Sequence, residues 1–284
     1  LRDSRLDEIA SLALNTSCEF LWVQDIEQFK HHWNYSLEHS NTTLVIAPET
    51  DNQLVNIQQT IIDHSNSFLG SSQQATKLSS NKLRCFQYLV KHTIPTVHTQ
   101  IASQWQSANL DYSDGIVIKP IDGAGCVDTA FFKTTVDAKQ YLQNISSAKQ
   151  ASLIVQPYIM GTAASLSLFI SENTVNVLSI NRQQIQLDHS RLIFQGSTVN
   201  AIPASELSQR AAQSLAENIH RLIPELWGFV GIDLVLTESG PIVIEINPRL
   251  TSSYVELKST LNINPTDLLI KYMSEKTSTR FASS

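Results

Sequence analysis

Apolar residues recur with alternating helix-like and strand-like spacing along the first 75 residues of the chain. Helical spacing covers residues 4–15, 26–37 and 54–64, and short apolar runs predict strands at residues 19–24, 43–49 and 67–70. Strands that alternate with helices are typical of a small α/β domain with a parallel sheet. We therefore predict such a domain over residues 1–75, with a boundary in the polar segment 70–74.

The remainder of the chain has a different pattern, in which strands pair as hairpins. The spacing predicts one helix over residues 76–92, with Ser79 or Ser80 as its cap, and a smaller unit over residues 76–155. A larger unit follows over residues 156–284, with a long amphipathic helix at 205–223 that begins at a Ser205 cap. Other predicted strands lie at residues 115–120, 127–132, 153–156, 164–171 and 175–180, and other predicted helices at 135–145, 254–261 and 266–273.

Two apolar runs near the end of the chain contain acidic side chains. Asp233 lies in the run 230–236, and a turn at residues 238–241 separates it from Glu245 and Asn247. Side chains alternate along a strand, so Glu245 and Asn247 share a face, and a hairpin brings Asp233 beside Glu245. Such oxygens suit a hard cation such as Mg²⁺. We predict a magnesium site here rather than a hairpin with solvated acids, because an unpaired acid among Ile, Leu and Val is costly.

A lysine and a glycine turn follow directly after the strand predicted at residues 115–120. Lys119 ends the strand, and the turn is Asp122–Gly123–Ala124–Gly125–Cys126. Taken alone, each is more often a solvated lysine or an ordinary tight turn. Together they suit polyphosphate, because backbone N–H groups can wrap it and lysine can neutralise it. The apolar linker 155–159 could hold an adenine, and the planar fork of Arg249 suits phosphate oxygens.

Composition excludes several classes of protein. The 284 residues are 42% hydrophobic and 16% charged, and the net charge of −6 argues against a nucleic-acid binder. No apolar run approaches the roughly 18 residues of a membrane span. Three scattered cysteines, Cys18, Cys85 and Cys126, form no disulfide framework, so we expect a cytoplasmic protein. The chain begins without Met inside a helical pattern, so we expect that residues before it, such as a strand, are missing.

Taken in order, these features resemble the ATP-grasp ligases over about residues 76–275. The resemblance implies a mixed α/β (α+β) chain, in which an ATP-grasp fold follows a small, N-terminally truncated Rossmann-like domain. It implies magnesium ligation by Asp233, Glu245 and Asn247, and catalytic roles for Lys119 and Arg249. The ATP-binding residues that it implies are Lys82, Lys119, Gly123, Ala124, Gly125, Gln156, Tyr158 and Ile159.

Four segments look like the tyramine–glutamate ligase branch, which serves the synthesis of methanofuran-type one-carbon cofactors. They are residues 44–51, 69–72, 119–125 and 245–251. The resemblance implies ATP-dependent amide formation through an acylphosphate, joining L-glutamate to an amine such as tyramine. It implies ATP and one or two Mg²⁺ ions, with Mn²⁺ as a substitute. Substrate contacts are expected from Arg182, Gln183 and Ser252, and a homo-oligomer is left open.

Two positions depart from the family pattern. Pro157 stands where many relatives have an acid, and proline has no backbone N–H to donate. The segment 161–165 lacks the glutamate with which many relatives bind ribose. Pro157 and Ala163 keep open a degenerate nucleotide-binding module without turnover. A related ATP-grasp ligase for another amino acid or a peptide end is a second alternative.

Overall fold

The computed structural model describes residues 19–64, 66–107, 110–172, 174–262 and 264–273. The helix predicted over residues 4–15 and the side chain of Cys18 lie outside them. The chain divides into two compact units, residues 1–43 with 60–68 and residues 44–59 with 69–284. Within the described part of the chain, no helix combines the length and the apolar character needed to span a membrane.

The first unit contains a helix that ends in a hydrogen-bonded turn. Helix α1 spans Ile26–Glu38, and the Asp25 carboxylate caps it by accepting from the Gln28 backbone N–H. The Asn66 side-chain amide donates to the backbone carbonyls of Leu37 and Ser40 and fixes the end of this helix. The prediction of a helix over residues 26–37 is confirmed.

Two short strands follow in this region, β1 (Thr42–Leu44) and β2 (Ser67–Leu69), with helix α2 (Gln53–Asp63) between them in sequence. The strands form a two-stranded sheet. The prediction of a strand over residues 19–24 is wrong, because these residues have no regular structure and pair with no strand in the described part of the chain. The strand predicted over residues 43–49 is shorter, since its partner β2 offers only three residues.

The second unit is built on one nine-stranded sheet. Its strands are β3 (Gln100–Ile101), β4 (Ile116–Pro120), β5 (Ala130–Phe132), β6 (Leu153–Pro157), β7 (Thr162–Ile170), β8 (Val175–Asp188), β9 (Arg191–Thr198), β10 (Gly228–Thr237) and β11 (Gly240–Asn247). Their order across the sheet is β11-β10-β7-β8-β9-β5-β4-β6-β3, and neighbouring strands run antiparallel. Its helices include α3 (Gln73–Ser80), α4 (Lys82–Lys91), α5 (Thr135–Gln143), α6 (Ser147–Ala151), α7 (Gln209–Leu222) and α8 (Tyr254–Leu261).

The helix predicted over residues 76–92 is in fact two helices, α3 and α4, which meet at Asn81. Asn81 has an extended backbone, with φ −95° and ψ 102°, and its side chain caps α4 by accepting from the Arg84 N–H. Ser72, rather than Ser79 or Ser80, caps α3. The break makes Lys82 the first residue of α4, where its backbone N–H donates to the Ile121 carbonyl beyond β4. The lysine is thereby held beside the end of β4.

The long helix α7 begins later than predicted. Its cap is Ser208, not Ser205, because the Glu206 and Leu207 N–H groups both close a turn onto the Pro203 carbonyl. Ala212, Ala216 and Ile219 are fully buried on its apolar face and join the main hydrophobic core with β7 and β10. The apolar face of α7 therefore packs on the sheet.

The hairpin of β10 and β11 has the register expected from its alternating pattern. Asp233 lies opposite Glu245, and Gly231 lies opposite Asn247. A bulge between Asp233 and Leu234 shifts the register beyond this pair. The predicted pairing of the two acids is therefore confirmed.

Candidate active site

One cavity of about 400 Å³ in the second unit collects nearly all the predicted site residues. Those that line it are Lys82, Lys119, Gly123, Ala124, Gly125, Gln156, Tyr158, Ile159, Gln183, Asp233, Glu245, Asn247, Arg249 and Ser252. Arg182 is not among them. Its guanidinium donates instead to the Glu206 carboxylate at 2.8 Å, and 39% of its side chain is exposed.

Two lysines from different elements meet one carboxylate in this cavity. The Nζ of Lys82, from the start of α4, lies 3.4 Å from Glu245 Oε2, and the Nζ of Lys119, from β4, lies 4.0 Å from the same atom. At most 15% of each of these three side chains is exposed, so solvent and salt screen their charges weakly. Burial lowers the pKa of Lys119, and the charge of Glu245 partly opposes that shift.

The two acids of the hairpin have opposite protonation states near neutral pH. Burial, followed by the neighbouring Glu245, raises the pKa of Asp233 to about 8. Burial alone would raise the pKa of Glu245 as well, but Lys82 and Lys119 outweigh it and lower that pKa to about 2. Asp233 therefore holds a proton in its hydrogen bond to Glu245, while Glu245 carries the negative charge that the lysines neutralise.

Two amides complete the surroundings of Asp233. Gln183 Nε2 donates to its Oδ1 at 2.9 Å, and Asn247 Nδ2 lies 3.3 Å from its Oδ2. Within the described residues no three His, Cys, Asp or Glu side chains cluster as metal ligands, so a cation here would rely on the two carboxylates and the Asn247 amide. All of these donors are oxygen atoms, which hard cations prefer. The proton shared by the two buried carboxylates lies where a cation can bind in its place. The residues fit Mg²⁺.

The glycine turn is anchored where it begins. The Asp122 carboxylate accepts from the Asp51 backbone N–H at 2.9 Å, and Lys82 Nζ donates to the Gly123 carbonyl at 2.8 Å. Gly123 and Gly125 have left-handed φ values of +87° and +67°, which glycine adopts without strain. The turn therefore lies against the lysine pair with its backbone along the cavity, as a phosphate-binding loop requires.

The linker part of the cavity is apolar. Tyr158 donates its backbone N–H to the Gly115 carbonyl, and its ring packs edge-on against Phe131. The Gln156 amide donates to Thr99 Oγ1 at 2.9 Å, so this side chain braces the linker. Further apolar lining comes from Val117, Ala163, Ile185, Leu192, Phe194 and Leu234. Such walls suit the faces of a nucleobase.

Sequence reasoning missed the buried partner of Arg249. Arg249 Nε lies 2.8 Å from Glu49 Oε1, and Nη2 donates to Glu49 Oε2 at 3.0 Å. The available signal was weak: Glu49 is an acid that follows Pro48 just beyond the apolar run 44–47, and the ends of strands in α/β domains are where functional side chains lie.

Comparison with known proteins agrees with this geometry. Residues 79–253 match the ATP-grasp domain family, and residues 1–76 match the pre ATP-grasp 3 domain. The chain belongs to the ATP-grasp family. The predicted mixed α/β fold, with an ATP-grasp domain after a smaller domain, is thus confirmed.

Several relatives of this ATP-grasp chain are known. It is 27% identical over 234 residues to tyramine–L-glutamate ligase of Methanocaldococcus jannaschii, a match that covers 82% of this chain and 63% of the relative. The chain thus spans less than two thirds of that relative's length.

Two solved structures share the fold. An Archaeoglobus fulgidus protein of the ATP-grasp superfamily is 26% identical, with a TM-score of 0.66 and coverage of 90% of this chain and 72% of that protein. D-alanine–D-alanine ligase of Bacillus anthracis, complexed with ATP, is 16% identical, with a TM-score of 0.64 and coverage of 90% and 85%.

Proposed function

We propose that this chain is an ATP-dependent ligase that joins a carboxylate to an amine and forms ADP. One observation carries the proposal: a single cavity brings Lys82 and Lys119 against Glu245, with the glycine turn and Arg249 on its wall. Buried cations, free backbone along a glycine turn and paired carboxylates are what a magnesium–polyphosphate complex needs. The apolar linker region takes the adenine.

The site holds ATP through its phosphates. Lys82, Lys119 and Arg249 offset phosphate charge, and the turn at Gly123–Gly125 covers the phosphates with backbone N–H groups. Asp233, Glu245 and Asn247 would hold Mg²⁺, which would supply electrostatic stabilisation of the phosphate oxygens. Asp233 would have to lose its proton to serve as a metal ligand, because a carboxyl group binds a cation in its deprotonated form.

The reaction has two steps that need no protein nucleophile. A carboxylate oxygen of the acid attacks the γ-phosphorus, which gives an acylphosphate as the bond to the ADP oxygen breaks. The amine nitrogen then attacks the carbonyl carbon, inorganic phosphate leaves, and the nitrogen loses a proton. Lys119 and Arg249 stabilise the charge that develops on the transferred group, which is the main catalytic need in phosphoryl transfer.

We propose L-glutamate as the acid and tyramine as the amine, in the synthesis of a methanofuran-type cofactor. The support is the similarity to a relative named tyramine–L-glutamate ligase. Gln183 and Ser252 line the same cavity and are proposed to contact these substrates. Arg182 is not proposed for this role, because Glu206 occupies its guanidinium.

ADP release tests the function. The assay combines ATP, MgCl₂, L-glutamate and tyramine, with the amide product followed by mass spectrometry. Glu245→Ala and Lys119→Ala should abolish ADP release, and Lys149→Ala, on the helix α6 outside the cavity, should leave it unchanged. If the wild-type chain forms no ADP with glutamate and a panel of amines, the choice of glutamate is refuted. Activity retained in both site variants would refute the site.

A second candidate is a nucleotide-binding module without turnover. It is favoured by the linker region, where Pro157 cannot donate a hydrogen bond and Ala163 offers the cavity no polar group. Calorimetry distinguishes the two functions. Binding of ATP without ADP formation, across a broad panel of acids and amines, would support the module and refute the ligase.

A further inference from the structure

A short segment outside the matched ATP-grasp region touches two parts of the cavity wall. Glu49 contacts Arg249, and the Asp51 backbone N–H donates to the carboxylate of Asp122 at the start of the glycine turn. Thr50 lies next to the same turn, since a Cβ built on Gly123 would be 3.2 Å from Thr50 Oγ1. The three residues belong to the same compact unit as the cavity. The segment therefore braces both walls at which phosphates are proposed to bind.

The contact between Glu49 and Arg249 fixes the orientation of the guanidinium. The two side chains are 3% and 15% exposed, and both carboxylate oxygens lie within 3.0 Å of guanidinium nitrogens. Nη1 donates to the Leu250 carbonyl at 3.1 Å. Each terminal nitrogen of arginine carries two N–H groups, so each keeps a second N–H for another acceptor. The guanidinium is planar, and Glu49 and the Leu250 carbonyl hold it in place. The two remaining donors can therefore point in one direction only.

Glu49 itself is not placed to bind a ligand. It is 4% exposed and is absent from the cavity lining, whereas Arg249 lines the cavity. Any effect of Glu49 on a ligand must therefore pass through Arg249. Such an effect is one of geometry, and displacing a catalytic group by about 1 Å can lower a rate about a hundredfold.

We propose that Glu49 is a positioning residue, which holds Arg249 so that its two remaining N–H groups meet the terminal phosphate of ATP. The inference rests on the proposed function, because it takes the ligand of Arg249 to be that phosphate. It adds a requirement on the segment that precedes the ATP-grasp domain: the domain's arginine is oriented from outside the domain. ADP lacks the terminal phosphate, so binding of ADP should not depend on Glu49.

The ratio of ATP affinity to ADP affinity tests the proposal without any acid or amine. Calorimetry with MgCl₂ is run on the wild-type chain, Glu49→Gln, Arg249→Lys and the double variant. Glu49→Gln should lower the ratio about tenfold or more, through weaker ATP binding with ADP binding unchanged. Arg249→Lys should lower it similarly, and the double variant should lower it no further. Glu206→Gln, which breaks the exposed pair with Arg182, is the matched control and should leave the ratio unchanged.

The outcomes separate this inference from the proposed function. If Arg249→Lys lowers the ratio and Glu49→Gln does not, the positioning role is refuted and the function stands. If neither variant changes it, Arg249 does not meet the terminal phosphate and that part of the function fails. Equal losses of ATP affinity and ADP affinity in Glu49→Gln would show a purely structural role for Glu49 and overturn the proposal. If Glu49→Gln does not fold, Glu49→Asp, which keeps the charge but shortens its reach, is expected to lower the ratio.

Discussion

Asp233 and Glu245 should respond in opposite ways when each is replaced by its amide. The two carboxylates pair across one hairpin, but Glu245 carries the charge and Asp233 the proton. Asp233→Asn exchanges one neutral group for another of the same shape. Glu245→Gln removes an anion from between two buried ammonium groups. The chain therefore supplies its own matched control.

The cost of Glu245→Gln follows from the distances around it. The variant leaves Lys82 Nζ and Lys119 Nζ, at 3.4 and 4.0 Å, without the carboxylate that they face. Removing one partner of a buried ion pair costs about 3–5 kcal/mol. We expect about 3 kcal/mol, the lower end of that range, because Asp233 can then ionise and replace part of the charge.

Asp233→Asn should instead stabilise the metal-free chain, and increasingly so as the pH rises. The folded pKa of Asp233, about 8, lies above its ordinary value of 3.8, so the folded state keeps a proton that the unfolded state has lost. The stabilising contribution of the Asp233 carboxyl is fully present below pH 3.8. It is lost progressively as the pH rises through the folded pKa. The Glu245 contribution is already complete above pH 4.5. Between pH 5 and pH 8 the difference between variant and wild type should therefore grow, by at most about 1.4 kcal/mol per pH unit.

Urea denaturation in EDTA, at pH 5, 6, 7 and 8, measures both effects. Equal destabilisation by Asp233→Asn and Glu245→Gln would refute the assignment of the charge to Glu245. A pH-independent difference between Asp233→Asn and the wild type would refute the raised pKa of Asp233.

Three further predictions concern the Asp122 anchor of the glycine turn, the close approach at Gly161 and the buried side chain of Asn181. Asp122→Ala removes the acceptor for the Asp51 N–H, 2.9 Å away, and should weaken ATP binding by about three- to tenfold in calorimetry. Unchanged affinity would show that this anchor is dispensable. Gly161→Ala places a Cβ 2.3 Å from the Leu236 carbonyl oxygen. Gly240 also has a positive φ, but a Cβ there would meet open space, so Gly240→Ala is the control. Gly161→Ala should lower the free energy of unfolding by more than about 1 kcal/mol beyond the loss in the control. Equal losses in the two glycine variants would contradict the clash. Asn181→Ala removes a fully buried amide that donates to Ser167 Oγ and should lower the free energy of unfolding in urea by about 1–3 kcal/mol. Gln184→Ala, at an exposed position, should cost little, and similar costs for the two variants would contradict the contribution of the buried hydrogen bond.

The local pattern of residues predicted the structure correctly where that structure depends on one element alone. The alternation around Glu245 correctly predicted which side chains share a face, and the turn at residues 238–241 predicted the pairing with Asp233. Pattern failed where another element decides. Residues 19–24 have the composition of a strand, yet Phe20, Trp22 and Val23 stay partly exposed, and no strand in the described part of the chain pairs with them. The break at Asn81 was also missed, because apolar spacing continues across it while the Asn81 side chain caps the next helix.

Among the site residues, the sequence by itself determined the chemical types and their order: two lysines, a glycine turn, two acids with an amide, and an arginine. The tertiary structure alone decided which of them meet. It placed both lysines on one Glu245 oxygen, gave the charge to Glu245 and the proton to Asp233, excluded Arg182 from the cavity and supplied Glu49 to Arg249. The physical reason is that charge, burial and hydrogen bonding depend on distances between residues up to 200 positions apart, which no local spacing encodes.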